Sequence, residues 1–99
     1  MKYFLINLTY TVPLEKVQEI TPEHRAYLKT NYDAGILLFS GPRVPRTGGV
    51  LFAKAEDTSV IEEMITNDPF KTKEIAEYEV IEIAPVMWNE GLNKIFEIT

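Results

Sequence analysis

The chain has 99 residues and a mass of 11.4 kDa, which predicts a single domain, because domains typically contain about 100–150 residues. It contains no cysteine and one histidine, His24, which excludes a disulfide framework, a thiolate nucleophile, a cysteine-based metal site and a cluster of histidine ligands. Ten basic and fifteen acidic residues give a net charge of −5, so we expect no nucleic-acid and no membrane partner, and without a signal-peptide pattern or a long apolar run we expect a cytoplasmic protein.

The first predicted strand is followed by the first predicted helix. Residues Lys2–Tyr10 are apolar in both alternating sets, which is typical of a strand covered on both faces. Leu14–Ile20 is a short segment of helical character. Thr21-Pro22 then predicts a helix start, with threonine at the N-cap and proline at the first helical position. That helix should end near Ala34, where Gly35 is suited to a left-handed C-cap.

A predicted hairpin follows. Ile36–Phe39 is a short apolar run that indicates a buried strand. The turn-forming Ser40-Gly41-Pro42 should end it, and Arg43–Gly49, with one proline, two glycines and two arginines, should form a loop. Val50–Ala55 is then the third strand, paired with the second across this loop.

The second half of the chain predicts a second helix and a last strand. The helix should start at Ser59, in a capping box with Glu62, and Asn67-Asp68-Pro69 should end it, because a residue before proline is disfavoured in a helix. Lys73–Ala84 alternates as a strand. The tail that follows carries Trp88 and several aliphatic side chains, and its pattern does not distinguish a helix from a strand.

This order of elements predicts an architecture. In one antiparallel sheet of four strands it is the α+β, ferredoxin-like βαββαβ plait. Right-handed crossovers place both helices on one face of the sheet, yet the strands are apolar on both sides. We therefore expect a second copy to cover the other face, giving a homodimer of the dimeric α+β barrel kind or a higher homo-oligomer. Residues 1–85 would form the domain, and residues 86–99 an extension that contacts other subunits.

Topology brings polar residues together at one end of this sheet. That end holds His24, in the first turn of the first predicted helix, and Asp68, after the second. It also holds the Ser40-Gly41-Pro42 turn and the loop with Arg43 and Arg46. A carboxylate bonded to one imidazole nitrogen selects the tautomer and leaves the other nitrogen available as a general acid or base. His24 and Asp68 are therefore the candidate catalytic pair.

These residues also have structural interpretations. His24 suits a helix cap or a core position, Asp68 a turn that bonds its own backbone, and the two arginines a solvated loop. In the functional interpretation, the arginines flank the mouth of a pocket and bind a carboxylate or phenolate. The predicted substrate-binding residues are Ser40, Gly41, Arg43, Tyr27 and Phe70, in a pocket also lined by Tyr3, Leu5 and Phe39.

An ordered set of motifs extends to about residue 84: Pro22-x-His24, Tyr27-Leu28, Asp33-x-Gly35, Leu37-Leu38, Ser40-Gly41-Pro42, Gly49 and Asn67-Asp68-Pro69-Phe70. The set resembles the YciI-like family, which in turn resembles the dimeric α+β barrels of the muconolactone-isomerase kind. The resemblance implies a His–Asp site at His24 and Asp68, and a few related proteins act on substituted aromatic rings, for instance by removing chloride. Phe70 stands where the family usually has tyrosine, and Thr21 where it often has a basic residue.

Two functions follow as expectations. The first is a small enzyme without cofactor or metal, in which His24 moves a proton on a small cyclic or aromatic substrate and Asp68 orients it, as an isomerase, a lyase or a dehydrochlorinase would. The second is a non-catalytic module that binds a small molecule or serves assembly.

Overall fold

The computed structural model describes residues 1–96. The elements in this range are β1 (Lys2–Tyr10), α1 (Leu14–Asp33), β2 (Leu37–Pro42), β3 (Gly48–Ala55), α2 (Thr58–Thr66), α3 (Pro69–Thr72), β4 (Ala76–Ile83) and a 3-10 turn at Glu90–Leu92. The order of the strands and the two long helices is the predicted one, and α3 is an addition to it.

The four strands form one sheet in the order β2-β3-β1-β4, and every neighbouring pair is antiparallel. This confirms the ferredoxin-like α+β plait. Alternate side chains of the central strand β1 (Phe4, Ile6 and Leu8) are buried in the core. They pack with apolar residues of the two long helices, which include Val17, Leu28, Ile61 and Met64.

Helix α1 is a single helix, so the predicted start at Thr21 is wrong. The helix begins at Leu14 and continues through Pro22. The Thr21 hydroxyl does not cap it but donates to the Val17 carbonyl at 2.7 Å, one turn earlier. Consequently His24 lies in the helix interior, away from the positive end of the helix dipole. No helix within residues 1–96 combines the length and the apolar character needed to cross a bilayer.

The end of α1 has the predicted left-handed residue. Gly35 has φ 79°, a conformation that glycine adopts without steric cost. Its amide donates to the Tyr32 carbonyl, and the next amide, of Ile36, donates to the Asn31 carbonyl, both at 3.0 Å. This pair of bonds is a Schellman motif, and it turns the chain directly into β2.

The hairpin of β2 and β3 is longer than its sequence predicts. Ser40-Gly41-Pro42 belongs to β2 instead of ending it, and Pro42 pairs with Gly49. Proline is tolerated there because β2 is an edge strand. The Arg43 amide donates to the Gly48 carbonyl at 2.9 Å, so only a short loop joins the two strands.

A capping aspartate precedes each of the next two helices. Asp57, and not Ser59, caps α2, because its side chain accepts a hydrogen bond from the Ser59 amide. Helix α2 ends just before Asp68-Pro69, as predicted. The same two residues also begin α3, with Asp68 as the N-cap and Pro69 in the first turn. Because α3 takes up part of the connection, β4 begins at Ala76 and not at Lys73.

The sheet face opposite the helices carries an aromatic cluster. Phe52 stacks with Tyr3 and Phe39, at centroid distances of 6.5 and 5.3 Å. The tail covers one side of this cluster: Phe96 lies 5.0 Å from the Tyr3 ring, and Trp88 lies 5.3 Å from Phe96. Between Val86 and Phe96 the tail forms neither a strand nor a long helix, and the last three residues of the predicted extension are outside the described range.

We expect Gly48→Ala to destabilise the fold strongly. A Cβ atom at Gly48 would overlap the Leu8 carbonyl oxygen and the Arg43 guanidinium, so the hairpin would have to move away from β1. A loss of at least about 2 kcal/mol in the free energy of unfolding should be measured by urea denaturation. The matched control is Gly41→Ala in the same hairpin, where an added Cβ meets no atom within 4 Å. Equal stability of the two variants would contradict this packing.

Candidate active site

A cavity of about 290 Å³ opens between α1, the end of β1, the β2–β3 hairpin and α3. The β2–β3 hairpin folds over the end of β1, beside the middle of α1. Each of these elements therefore contributes residues to the cavity. Its lining is Leu8, Tyr10, Thr21, His24, Arg25, Leu28, Ser40, Gly41, Pro42, Arg46, Gly49, Val50, Leu51 and Phe70.

His24 and Asp68 form a buried pair beside this cavity. His24 Nδ1 lies 2.7 Å from Asp68 Oδ1, and the two residues are 8% and 2% exposed. The same carboxylate oxygen accepts the Phe70 amide at 3.0 Å. A carboxylate is an acceptor only, so it selects the imidazole form with a proton on Nδ1. Nε2 of His24 has no hydrogen-bond partner within residues 1–96, and it is the nitrogen left for a bound molecule.

Phe70 orients the imidazole ring. The two rings are parallel within 2°, and their centroids are 3.8 Å apart. Since the Phe70 amide also holds Asp68, one residue at the start of α3 positions both members of the pair. On its other side Phe70 contacts the Tyr10 ring edge-on, with centroids 6.1 Å apart. Stacking on Phe70 therefore restricts the tilt of the His24 ring, and the contact with Asp68 restricts its rotation within the ring plane.

Two tyrosines surround Asp68 on the side of the core. Burial raises the pKa of Tyr78, and the negative charge of Asp68 raises it further. The Tyr78 hydroxyl is buried and faces the Asp68 side chain, which also raises this pKa as a hydrogen-bond partner. Burial also raises the pKa of Tyr27, whose hydroxyl donates to the Met64 carbonyl at 2.8 Å. Both phenols therefore stay neutral and add no second negative charge beside Asp68.

The predicted substrate-binding residues separate into two groups. Ser40, Gly41 and Phe70 line the cavity. Tyr27 and Arg43 are absent from its lining, and the Tyr27 hydroxyl is directed to the backbone of α2. Of the other predicted pocket residues, Tyr3, Leu5 and Phe39 belong to the opposite face of the sheet, because they alternate with the core-facing set.

Arg43 is bound to β1. Its Nη1 donates to the Leu8 carbonyl at 2.6 Å and to the Asn7 side chain, and its Nη2 lies 3.4 Å from the hydroxyls of Thr9 and Thr47. This guanidinium holds the hairpin against the end of β1. Of the two arginines in the hairpin loop, Arg46 is the one that lines the cavity.

The cavity is also lined by residues that are not among the predicted substrate-binding set. Tyr10 shares the alternation of Phe4, Ile6 and Leu8, and this signal was sufficient to place it on the inner face beside the helix. Thr21 and Arg25 lie one turn before and one residue after His24 on α1, a position that becomes apparent once the helix is known to continue through Pro22. Within residues 1–96, no three carboxylate or imidazole side chains form a group that could hold a metal ion.

Stability should fall at alkaline pH because of Tyr78. An ordinary tyrosine loses its proton near pH 10. The raised pKa of Tyr78 means that the folded chain keeps a proton which the unfolded chain loses, so unfolding is favoured as the pH rises above that value. The free energy of unfolding should fall by up to about 1.4 kcal/mol per pH unit from this residue.

Tyr78→Phe tests this dependence by urea denaturation between about pH 9 and pH 11. The variant should lose stability more slowly than the wild type, with Tyr27 responsible for part of the remaining decline. At neutral pH the variant should lose about 1 kcal/mol of stability, because the removed hydroxyl interacts with the Asp68 side chain. The exposed Tyr32→Phe is the control. Parallel pH profiles for all three proteins would refute the prediction.

Comparisons with known proteins add a family and a structure. The family model of the YCII-related domain matches residues 1–84. Among solved structures, 5-chloro-2-hydroxyhydroquinone dehydrochlorinase (TftG) from Burkholderia phenoliruptrix AC1100, in complex with 2,5-dihydroxybenzoquinone, is similar with a TM-score of 0.68 and 21% identity, over 88% of this chain and 93% of that chain. No curated protein sequence matches the chain. At this identity the structural likeness shows a shared fold.

Proposed function

The chain belongs to the YCII-related family, and on that premise we propose that it is a small-molecule enzyme whose His24–Asp68 pair transfers a proton on a cyclic or aromatic substrate. The observation that carries this proposal is the 2.7 Å contact between His24 Nδ1 and Asp68 Oδ1. That contact commits one ring nitrogen to the buried carboxylate and leaves Nε2 for the substrate. The proposed reaction needs no group beyond the residues of this chain.

The proposed chemistry is general base catalysis. Nε2 of His24 removes a proton from a ring carbon or hydroxyl of the substrate, and the Asp68 carboxylate stabilises the imidazolium that forms. In an isomerisation, the electron pair of the broken C–H bond forms a double bond at a new position, and Nε2 returns the proton. In a dehydrochlorination, the released electron pair forms a new double bond, the C–Cl bond breaks with its electrons leaving on chloride, and the proton on Nε2 passes to water. The Phe70 side chain has no hydroxyl, so it packs on the imidazole and transfers no proton.

The size of the cavity supports a substrate with one ring. Its volume of about 290 Å³ is at the lower limit of small-molecule sites, which range over about 300–1,000 Å³. The similar structure of TftG was solved with 2,5-dihydroxybenzoquinone, which is a single six-membered ring with oxygen substituents. We infer that this chain takes substituted rings of the same size.

His24→Gln and Asp68→Asn test the proposal. Chlorinated hydroxyhydroquinones and unsaturated lactones serve as trial substrates, assayed by chloride release and by absorbance. For a substrate that turns over, each substitution should lower kcat/KM by about 10²–10⁴, the range expected for a lost general base or a wrong tautomer. The control is Lys2→Gln, an exposed residue at the opposite end of β1. A substrate that His24→Gln converts as fast as the wild type would overturn the mechanism, and binding without turnover would favour the non-catalytic module.

The imidazole tautomer gives a second test that needs no substrate. In the wild type, ¹⁵N chemical shifts of neutral His24 should report a proton on Nδ1, because Asp68 accepts it. Asp68→Asn should redistribute the proton between Nδ1 and Nε2, since an amide can donate as well as accept. Identical tautomer populations in the two proteins would show that the contact does not control the base.

We further propose that two copies associate through the sheet face opposite the helices. On this face Phe39 is 56% exposed and Ile81 is 40% exposed, beyond the part that the tail covers. Exposed apolar surface of this kind favours association, because burial removes it from water. The extension from residue 86 borders the same face and, in this proposal, contributes to the contact between protomers.

Light scattering after size exclusion tests the dimer. The wild type should have twice the mass of the 11.4 kDa chain, and Phe39→Glu should shift it to the monomer by placing a charge in the apolar contact. Phe39→Leu keeps the position apolar and should remain a dimer. A monomeric wild type at micromolar concentration would be evidence against this proposal.

A further inference from the structure

The charge around the cavity differs from that of the whole chain. The chain carries a net charge of −5, yet the cavity lining contains two arginines and no aspartate or glutamate. The ion pairs within residues 1–96 are Lys16–Glu19, His24–Asp68, Lys29–Asp33 and Lys73–Glu23. Neither Arg25 nor Arg46 takes part in them. The acidic residue behind the cavity wall, Asp68, is bound to His24, so within residues 1–96 no carboxylate pairs with either arginine.

Arg46 and Arg43 belong to the same hairpin loop, but their guanidinium groups are used differently. Four acceptors on β1 and in the loop surround the guanidinium of Arg43. Arg46 makes one long contact, from Nε to the Tyr10 hydroxyl at 3.5 Å. Its Nη1 and Nη2 atoms donate no hydrogen bond to residues 1–96. Arg46 is half-buried as a residue, and a guanidinium with both terminal nitrogens available is suited to bidentate binding of an oxyanion.

A continuous wall of side chains connects Arg46 to the catalytic histidine. Arg46 contacts the Tyr10 hydroxyl, the Tyr10 ring contacts Phe70 edge-on, and the Phe70 ring stacks on His24. All four residues line the same cavity. A flat ligand lying against this aromatic wall therefore has a cation at one end and an imidazole at the other.

We propose that Arg46 binds an anionic oxygen group of the substrate, so that the site selects single-ring organic anions, such as ring carboxylates and ionised ring hydroxyls, over neutral rings. This inference rests on the proposed function and deepens it, because it names the substrate class and the residue that determines it. Arg46 sets the position of the ring along the wall, and the carbon or hydroxyl far from the anionic group faces His24. Arg43 instead holds the hairpin against the end of β1.

Binding of benzoate and benzamide tests the proposal without requiring turnover. The two probes have the same ring and nearly the same shape, and they differ in charge. Their dissociation constants are measured by following backbone amide signals of Ser40, Gly41 and Phe70 in ¹H–¹⁵N NMR titrations of the full chain. The wild type should bind benzoate more tightly than benzamide.

Arg46→Gln should weaken benzoate binding roughly tenfold or more, since a charge-assisted hydrogen bond is lost, and should leave benzamide binding unchanged. Arg46→Lys keeps the charge without the planar fork and should retain part of the preference. Lys2→Gln removes the same charge at a distance and should change nothing. No benzoate binding by the wild type, or equal benzoate binding by wild type and Arg46→Gln, would overturn the inference. Neither result depends on the turnover assays of the His24 variants, so the two proposals fail separately.

Discussion

The carboxylate of Asp68 is the constraint on which the candidate site depends. A buried charge is costly unless donors compensate it, and here the donors are the imidazole of His24 and the amide of Phe70. One of them belongs to α1 and the other to the first turn of α3. The carboxylate of Asp68 thus holds α1 and α3, which are distant in sequence, together at the wall of the cavity. Phe70 strengthens the junction because its ring stacks on the same imidazole.

Because side chains alternate along β1, this strand contributes to the cavity on one face of the sheet and to the aromatic cluster on the other. Leu8 and Tyr10 point to the helices and line the cavity, while Tyr3 points to the opposite face and packs with Phe52 and the tail. A single strand therefore supports both the candidate site and the apolar surface that we propose for association. The two faces are connected through this strand, since β1 lies between β3 and β4 and pairs with both along most of its length.

Much of the fold was predictable from the sequence because its signals are local. The bounds of β1, the glycine that ends α1 and the order of the strands all follow from alternation and from turn-forming residues. Thr21-Pro22 misled the prediction, because the same residues that start a helix are also tolerated inside one when the preceding turn is already helical. The helix α3 was missed for a related reason: Asp68-Pro69 both ends one helix and caps the next.

The pairing of His24 with Asp68 was predicted correctly, but for a reason that holds only in part. Asp68 follows α2 as expected, whereas His24 lies in the middle of α1 and not in its first turn, so the contact depends on α3, which places Asp68 beside the middle of that helix. Which of Arg43 and Arg46 faces the cavity depends on how the loop closes over β1, through the amide of Arg43 and the close approach of Gly48. That closure is a tertiary property, and no pattern within the loop itself encodes it.

Trp88 has a consequence for optical experiments. It is the only tryptophan of the chain. It contacts the Phe96 ring, which in turn packs on Tyr3 of the sheet, and its Nε1 donates to the Asn93 side chain at 2.9 Å. Its fluorescence emission therefore reports whether the tail is seated on the sheet, and it does not report occupancy of the cavity on the other side. The tail and the cavity can for this reason be followed independently in one unlabelled sample, the tail by tryptophan emission and the cavity by the single imidazole.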